Sequence, residues 1–284
     1  MTIDPRPPRA VRTLRGLLVA TAAATAGVEL LNFLYAPEHG FGLVVRTGWA
    51  LLRTLGWLIL IWHVGRGRAA ARPLGLILAV TTVFAVGRLV VPRTGAPPLA
   101  GVLGFLALTA LCVTVVVLLY RHRGIGEHLV RHPRKLEFTR AGVEWRESAP
   151  KRPPAAAWAV TARVAAFTYS PLLLVPALIS VSELGSRPQW LLAVVFWFGA
   201  GIGVSYAVML STFFLLRGKH WAPRLLVWIT VGVLAVDLPL CYLLLGLDGL
   251  IRDGAPLVAA AVLVGYSVWR VARLPALVTT ATRG

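Results

Sequence analysis

The chain has 284 residues, of which 57% are hydrophobic and only 14% charged, with a formal net charge of +18 and a mean hydropathy of +0.75. A soluble domain carries about 25% charged residues, so this composition excludes a soluble fold and predicts a polytopic membrane protein. The positive charge does not point to nucleic acid, because the cations flank apolar runs instead of covering one face of a soluble module.

A helix needs about 20 mostly apolar residues to cross a hydrocarbon core of roughly 30 Å. Eight stretches approach that length. Residues 14–35, 41–64, 73–91 and 99–120 form one block, and 156–184, 190–216, 223–245 and 256–271 a second. Span 1 follows Arg6, Arg9, Arg12 and Arg15, and its ATAAATAG centre looks like a signal-peptide cleavage region. The seven spans behind it predict a retained helix. Span 2 carries Arg46 and Arg53 inside its apolar run. If it did not cross, every later loop would change sides, so loop charge tests it.

Alternate connections take very unequal shares of Lys and Arg. The N-terminus, the 66–72 loop, the central stretch, the 217–224 loop and the C-terminal tail hold twenty-two of the 29, and the intervening loops hold Arg93, Arg187 and Arg252. That bias predicts that span 2 crosses and that both termini and the central stretch are cytoplasmic. The chain then divides into a membrane half at 1–120, a basic linker at 121–155, a second membrane half at 156–273 and a tail at 274–284.

Within the linker, Leu136, Phe138, Val143 and Trp145 alternate with polar residues around Arg140-Ala141-Gly142, the pattern of a short hairpin. Nine cations stand beside four glutamates there. The linker is either solvated or an inner-face anchor in which Arg131, Arg134 and Lys135 contact anionic lipid, at roughly 1 kcal/mol per well-placed cation. Arg66-Gly67-Arg68 before Pro73 also echoes Arg217-Gly218-Lys219 before Pro223, each ahead of the third helix of its half. Four spans per half would make such repeats parallel, although apolar composition shared by any membrane helices explains as thin an identity.

Ionisable side chains within spans cost perhaps 2.5–3.5 kcal/mol each, so every one needs a partner, water or an interface. Five stand out: Glu29, Arg46, Arg53, Arg88 and Asp237. At 1.5 Å per residue, Glu29, Arg88 and Asp237 lie about 21 Å from the cytoplasmic edge and Arg46 reaches the same layer from outside, with Arg53 nearly two turns deeper. One reading is a polar pocket in which Arg46 and Arg88 recognise an anion and Glu29 or Asp237 handles a proton. The other is structural ion pairing, for example Arg88 with Asp237, plus arginines snorkelling to headgroups.

Pro239 follows Asp237 by two residues and predicts a kink in span 7. Pro171 and Pro176 are comparable devices in span 5. Gly199 and Gly203 form a GxxxG pattern, read as close packing within the monomer ahead of dimerisation. Arg163, Tyr169 and Glu183 read as interfacial or paired, and the 247–254 loop as a turn with solvated charges. Cys112 and Cys241 have no second cysteine nearby and read as small core residues.

No GxSxG, Walker A, HExxH, GxGxxG or DDxxD pattern is present. His128 and His132 are spaced for a metal, but Pro133 is adjacent and no further ligand is evident, so neither a metal nor a cofactor is expected.

The stretch Arg72-Pro73-Leu74-Gly75-Leu76-Ile77-Leu78-Ala79-Val80-Thr81-Thr82-Val83-Phe84 and the later CYLLLGLDGLIRDGAPL resemble segments of polytopic membrane proteins of high-GC Gram-positive bacteria that carry no assigned activity. The resemblance implies a compartment and no chemistry. Arg outnumbers Lys 26 to 3, and Ala, Gly and Pro abound, which agrees with a GC-rich bacterial source.

The sequence thus predicts an all-α integral membrane protein of about eight transmembrane helices in the cell membrane, either as two parallel four-helix repeats or as unrelated halves. Three functions follow. One is a permease-like or accessory subunit that binds a small or lipidic anion. Another is an intramembrane enzyme acting on a lipid or isoprenoid, and the third a scaffold that docks partners through 121–155. A non-enzymatic role leads, with membrane lipids, a second copy or a membrane subunit as partners.

Overall fold

The computed structural model describes residues 9–34, 40–87, 99–129, 134–139, 142–147 and 157–281. Its helices are α1 (Arg9–Leu34), α2 (Phe41–Gly65), α3 (Ala71–Val86), α4 (Leu99–Arg121), the short α5 (Arg123–His128), α6 (Ala157–Phe167), α7 (Tyr169–Val181), α8 (Leu191–Leu216), α9 (Ala222–Gly249) and α10 (Ala255–Ala281). Strands β1 (Arg134–Thr139) and β2 (Gly142–Glu147) pair antiparallel, Leu136 opposite Trp145 and Phe138 opposite Val143.

Among the described residues, six helical stretches are long and apolar enough to cross a membrane. One is α2, with both of its arginines inside it. The longest, Ala222–Arg273, is 52 residues and contains α9 and most of α10. It folds back on itself: a side chain added at Gly254 would meet Leu238 at 3.1 Å, whereas a straight helix would hold those residues about 24 Å apart. With the 16-residue α3 and with α6 and α7 counted together, eight apolar helical segments are present.

The reversal between α9 and α10 comes from backbone that only one residue type adopts freely. Gly246 has φ 71° and ψ −166°, a region closed to side chains with a Cβ. A π-helical turn, Leu250–Gly254, then leads into α10. Helix α9 continues through Pro239, beside which a kink was expected, and its non-helical residue is Gly246, two turns later. In a packed bundle, neighbouring turns and helices tolerate one missing donor. In span 5 proline does interrupt: α6 ends at Phe167, whose carbonyl would need the N–H that Pro171 lacks.

Two separate hydrophobic cores form. One gathers Leu14 and Leu18 of α1, Trp57 and Leu60 of α2, Leu78 of α3 and Leu119 of α4. The other gathers Tyr169 and Leu173 of α7, Trp197 of α8, Val233 of α9 and Leu257 and Val264 of α10. In each, consecutive helices pack together and the last returns to the first, α4 to α1 and α10 to α6. The cores meet where α2 packs on α7 and where α3 packs on α6 and α10.

The turns after α2 and α8 are built alike. Arg68 N donates to His63 O at 3.0 Å and Gly67 N to Val64 O at 3.1 Å; Lys219 N donates to Phe214 O at 3.1 Å and Gly218 N to Leu215 O at 3.1 Å. Both are Schellman caps, with glycine at φ 65° and 70° supplying the left-handed residue. In each, the arginine just before the glycine folds over a ring of the preceding turn, Arg66 over Trp62 at 4.5 Å and Arg217 over Phe213 at 4.1 Å. His128 joins this end of the molecule, its Nε2 lying 2.9 Å from Val64 O. It serves helix packing, and His132 lies outside the described residues.

Close helix approach in α8 occurs at Gly201, where an added Cβ would sit 2.8 Å from Leu174 of α7. Gly199 and Gly203, the two glycines of the GxxxG pattern, have open space at that position. The pattern is therefore not the packing face within the monomer.

Candidate functional site

Among the described residues, Glu29, Arg46, Arg53, Arg252 and Asp253 gather at the junction between the two cores. Spacing on α2 explains the first contributors: Arg46, Trp49 and Arg53 are three and four residues apart and form one stripe. On α7, Leu172, Val175, Pro176 and Ile179 follow the same rule and face that stripe. Thr81 and Ala85 of α3, Glu29 of α1 and the Arg252-Asp253 pair complete the walls. The resulting cleft is small, with ≈ 30 Å³ of interior room.

Arg53 is the centre of its hydrogen bonding. Its Nη2 donates to Glu29 Oε1 at 3.3 Å and its Nη1 donates to Thr81 O at 3.3 Å, so it ties α2 to both α1 and α3. The two side chains are 6% and 7% exposed. Removing two charges from water costs several kcal/mol each, which mutual attraction repays only when further hydrogen bonds complete the geometry. Thr81's carbonyl supplies one such bond. One turn further along α2, Trp57 Nε1 donates to the Thr82 hydroxyl at 3.3 Å and holds the register of α2 against α3.

The opposite wall is the turn between α9 and α10. Arg252 Nε donates to Asp253 Oδ2 at 3.1 Å, and its Nη1 reaches Asp248 Oδ2 at 3.3 Å. Arg252 and Asp253 are 10% and 12% exposed, whereas Asp248, at the rim, is 56% exposed. The turn is thus folded inward and is not a solvated loop. Three guanidinium groups and two carboxylates line one small space.

Asp237 is elsewhere. It is wholly buried in the second core, where its Oδ1 accepts from Trp197 Nε1 at 3.0 Å and its Oδ2 from the Cys241 thiol at 3.5 Å. It joins α9 to α8 and does not line the cleft. Of the expected five, Glu29, Arg46 and Arg53 come together, Asp237 does not, and Arg88 lies outside the described residues. Arg131 also lies outside them, and Arg134 and Lys135 fall on β1 opposite Glu147 and Arg146. Tyr169 is structural, its hydroxyl 3.0 Å from that of Thr230. Arg163 lies over Phe167 at 5.5 Å, and Glu183 is exposed.

Sequence reasoning missed Arg252 and Asp253. The available signal was their distance from α10: Arg252 is four residues before Pro256, too close to an apolar helix for both charges to remain in bulk water.

These features define a class, a helical membrane protein with two hydrophobic cores and a charged cleft where they meet. Beyond the class, the chain matches no protein-family model, and no curated protein and no solved structure is similar to it.

Proposed function

We propose that this protein is a permease-like or accessory subunit of the cell membrane that binds an anion, small or lipidic, in the cleft at the junction of its halves. The observation that carries this reading is the convergence of Arg46, Arg53 and Arg252 from both halves onto one buried space. Guanidinium groups present several fixed donors each and match phosphate or carboxylate oxygens. Glu29 accepts from Arg53 and so acts as a counter-ion within the wall, which favours binding over proton transfer to a substrate.

Thermal unfolding of the purified protein over a titration with inorganic phosphate tests the reading. At a hundredfold excess over Kd, binding adds about 2.7 kcal/mol to stability. Arg46→Gln and Arg252→Gln are each expected to abolish that gain. A wild-type protein indifferent to phosphate, or variants that respond as it does, would refute anion binding in the cleft.

Both termini and the 121–155 linker belong on the cytoplasmic side in this reading, and the cleft in the outer half of the membrane. The loop-charge bias supports that orientation. A fluorescent protein fused to the C-terminus is expected to fluoresce, since it matures in the cytoplasm; a dark, membrane-inserted fusion would reverse the topology. We read the halves as parallel four-helix repeats, supported by their separate cores and by the matching caps at Gly67 and Gly218.

A further inference from the structure

A second cavity opens beside the cleft and is lined by no charged residue. It is a groove of ≈ 410 Å³ between α3 and α10, within the size range of small-molecule sites. One wall is Leu76 and Val80 of α3; the other is Ala259, Leu263 and Tyr266 of α10. It exists because α10 presents alanine where α3 presents larger residues, so the two helices do not fill the space between them.

Thr81 and Pro256 line both the groove and the cleft. The two spaces are therefore neighbours that share a wall. From Pro256 to Tyr266 the groove follows α10 for ten residues, about 15 Å, which is half of a roughly 30 Å hydrocarbon core. Its length is that of one leaflet, and its charged neighbour lies at one end.

We infer that the groove holds the hydrocarbon tail of an anionic lipid whose headgroup, a phosphate or carboxylate, lies in the cleft. This inference rests on the anion reading and names the ligand class. A free anion would leave ≈ 410 Å³ of apolar lining unused, and an uncharged hydrocarbon would occupy the groove without engaging the arginine-lined cleft beside it. An amphiphile engages both, with its head among guanidinium groups and its tail along α10. The cleft's own small volume limits the headgroup to one compact charged group.

The test compares phosphatidic acid with phosphatidylcholine of identical acyl chains, by native mass spectrometry of the detergent-purified full-length protein. Phosphatidic acid is expected to be retained about tenfold more strongly, equivalent to 1.4 kcal/mol. Ala259→Phe and Val80→Phe fill the groove from opposite walls, and neither residue is fully buried. Each is expected to reduce phosphatidic acid retention by about tenfold while the phosphate-dependent stabilisation of the cleft stays at its wild-type value. Equal retention of the two lipids by the wild type, or wild-type retention in both variants, overturns the lipid inference. In that outcome an intact phosphate response leaves anion binding standing, and an absent one removes both. Inorganic phosphate that fails to compete with phosphatidic acid would also overturn the shared site.

Discussion

Arg53→Met will lower the stability of this protein by about 3–5 kcal/mol, the loss typical when one partner of a buried ion pair is removed. Methionine keeps much of the volume, so the deficit is electrostatic and not a cavity effect. Glu29, 7% exposed, would lose the guanidinium that donates to its Oε1, and the Thr81 carbonyl would lose its donor as well. Three helices are joined through this one side chain, so the loss is expected to be cooperative and visible as a lowered Tm in detergent. The double variant Glu29→Gln with Arg53→Met separates the causes. Because it removes both charges, it is expected to recover more than half of the lost stability. A single variant as stable as wild type would show that the pair does not hold α1, α2 and α3 together.

Asp237 provides the second large effect, with the opposite functional consequence. Asp237→Ala leaves the buried Trp197 N–H without its acceptor and opens a small void, at a combined cost of about 2–4 kcal/mol. Asp237→Asn keeps an oxygen where Oδ1 accepts from the indole at 3.0 Å, and its stability is expected within about 1 kcal/mol of wild type. Neither variant, where it folds, should alter the phosphate response, because Asp237 does not line the cleft. If Asp237→Asn keeps its Tm but loses the phosphate response, Asp237 belongs to the site after all.

The contrast between these two residues explains how far the site was legible. In the sequence, Glu29, Arg53 and Asp237 are equivalent: each is a charge in a span, and each must find a partner or solvent. Depth along a helix follows from counting residues, and it placed Glu29 and Asp237 in one layer. Depth says nothing about rotation. Glu29 turns toward α2 and Asp237 toward Trp197, so two acids expected in one layer meet different partners. Arg46 and Arg53 fared better because their seven-residue spacing keeps them on one face of α2 however that helix rotates.

The α9–α10 turn shows a second kind of gap. Leu247 to Gly254 contains two glycines and alternating charge, and by composition it is a solvated loop. What folds it inward is the positive φ at Gly246 and the packing of Leu238 against Gly254. Both depend on where α10 lands, which depends on α6 and α3. A local pattern carries no record of that.

The sequence by itself determined the class, the helical segments and the asymmetry of charge around them, because hydropathy, length and Lys-Arg distribution are sums over neighbouring residues. Only the tertiary structure decided which charges share a cleft, that Arg252 and Asp253 belong to it, that Asp237 does not, and that an apolar groove adjoins it. Those outcomes depend on helix rotation and on contacts between residues far apart in the chain, and in a bundle whose helices are apolar on almost every side, hydrophobic periodicity does not specify either one.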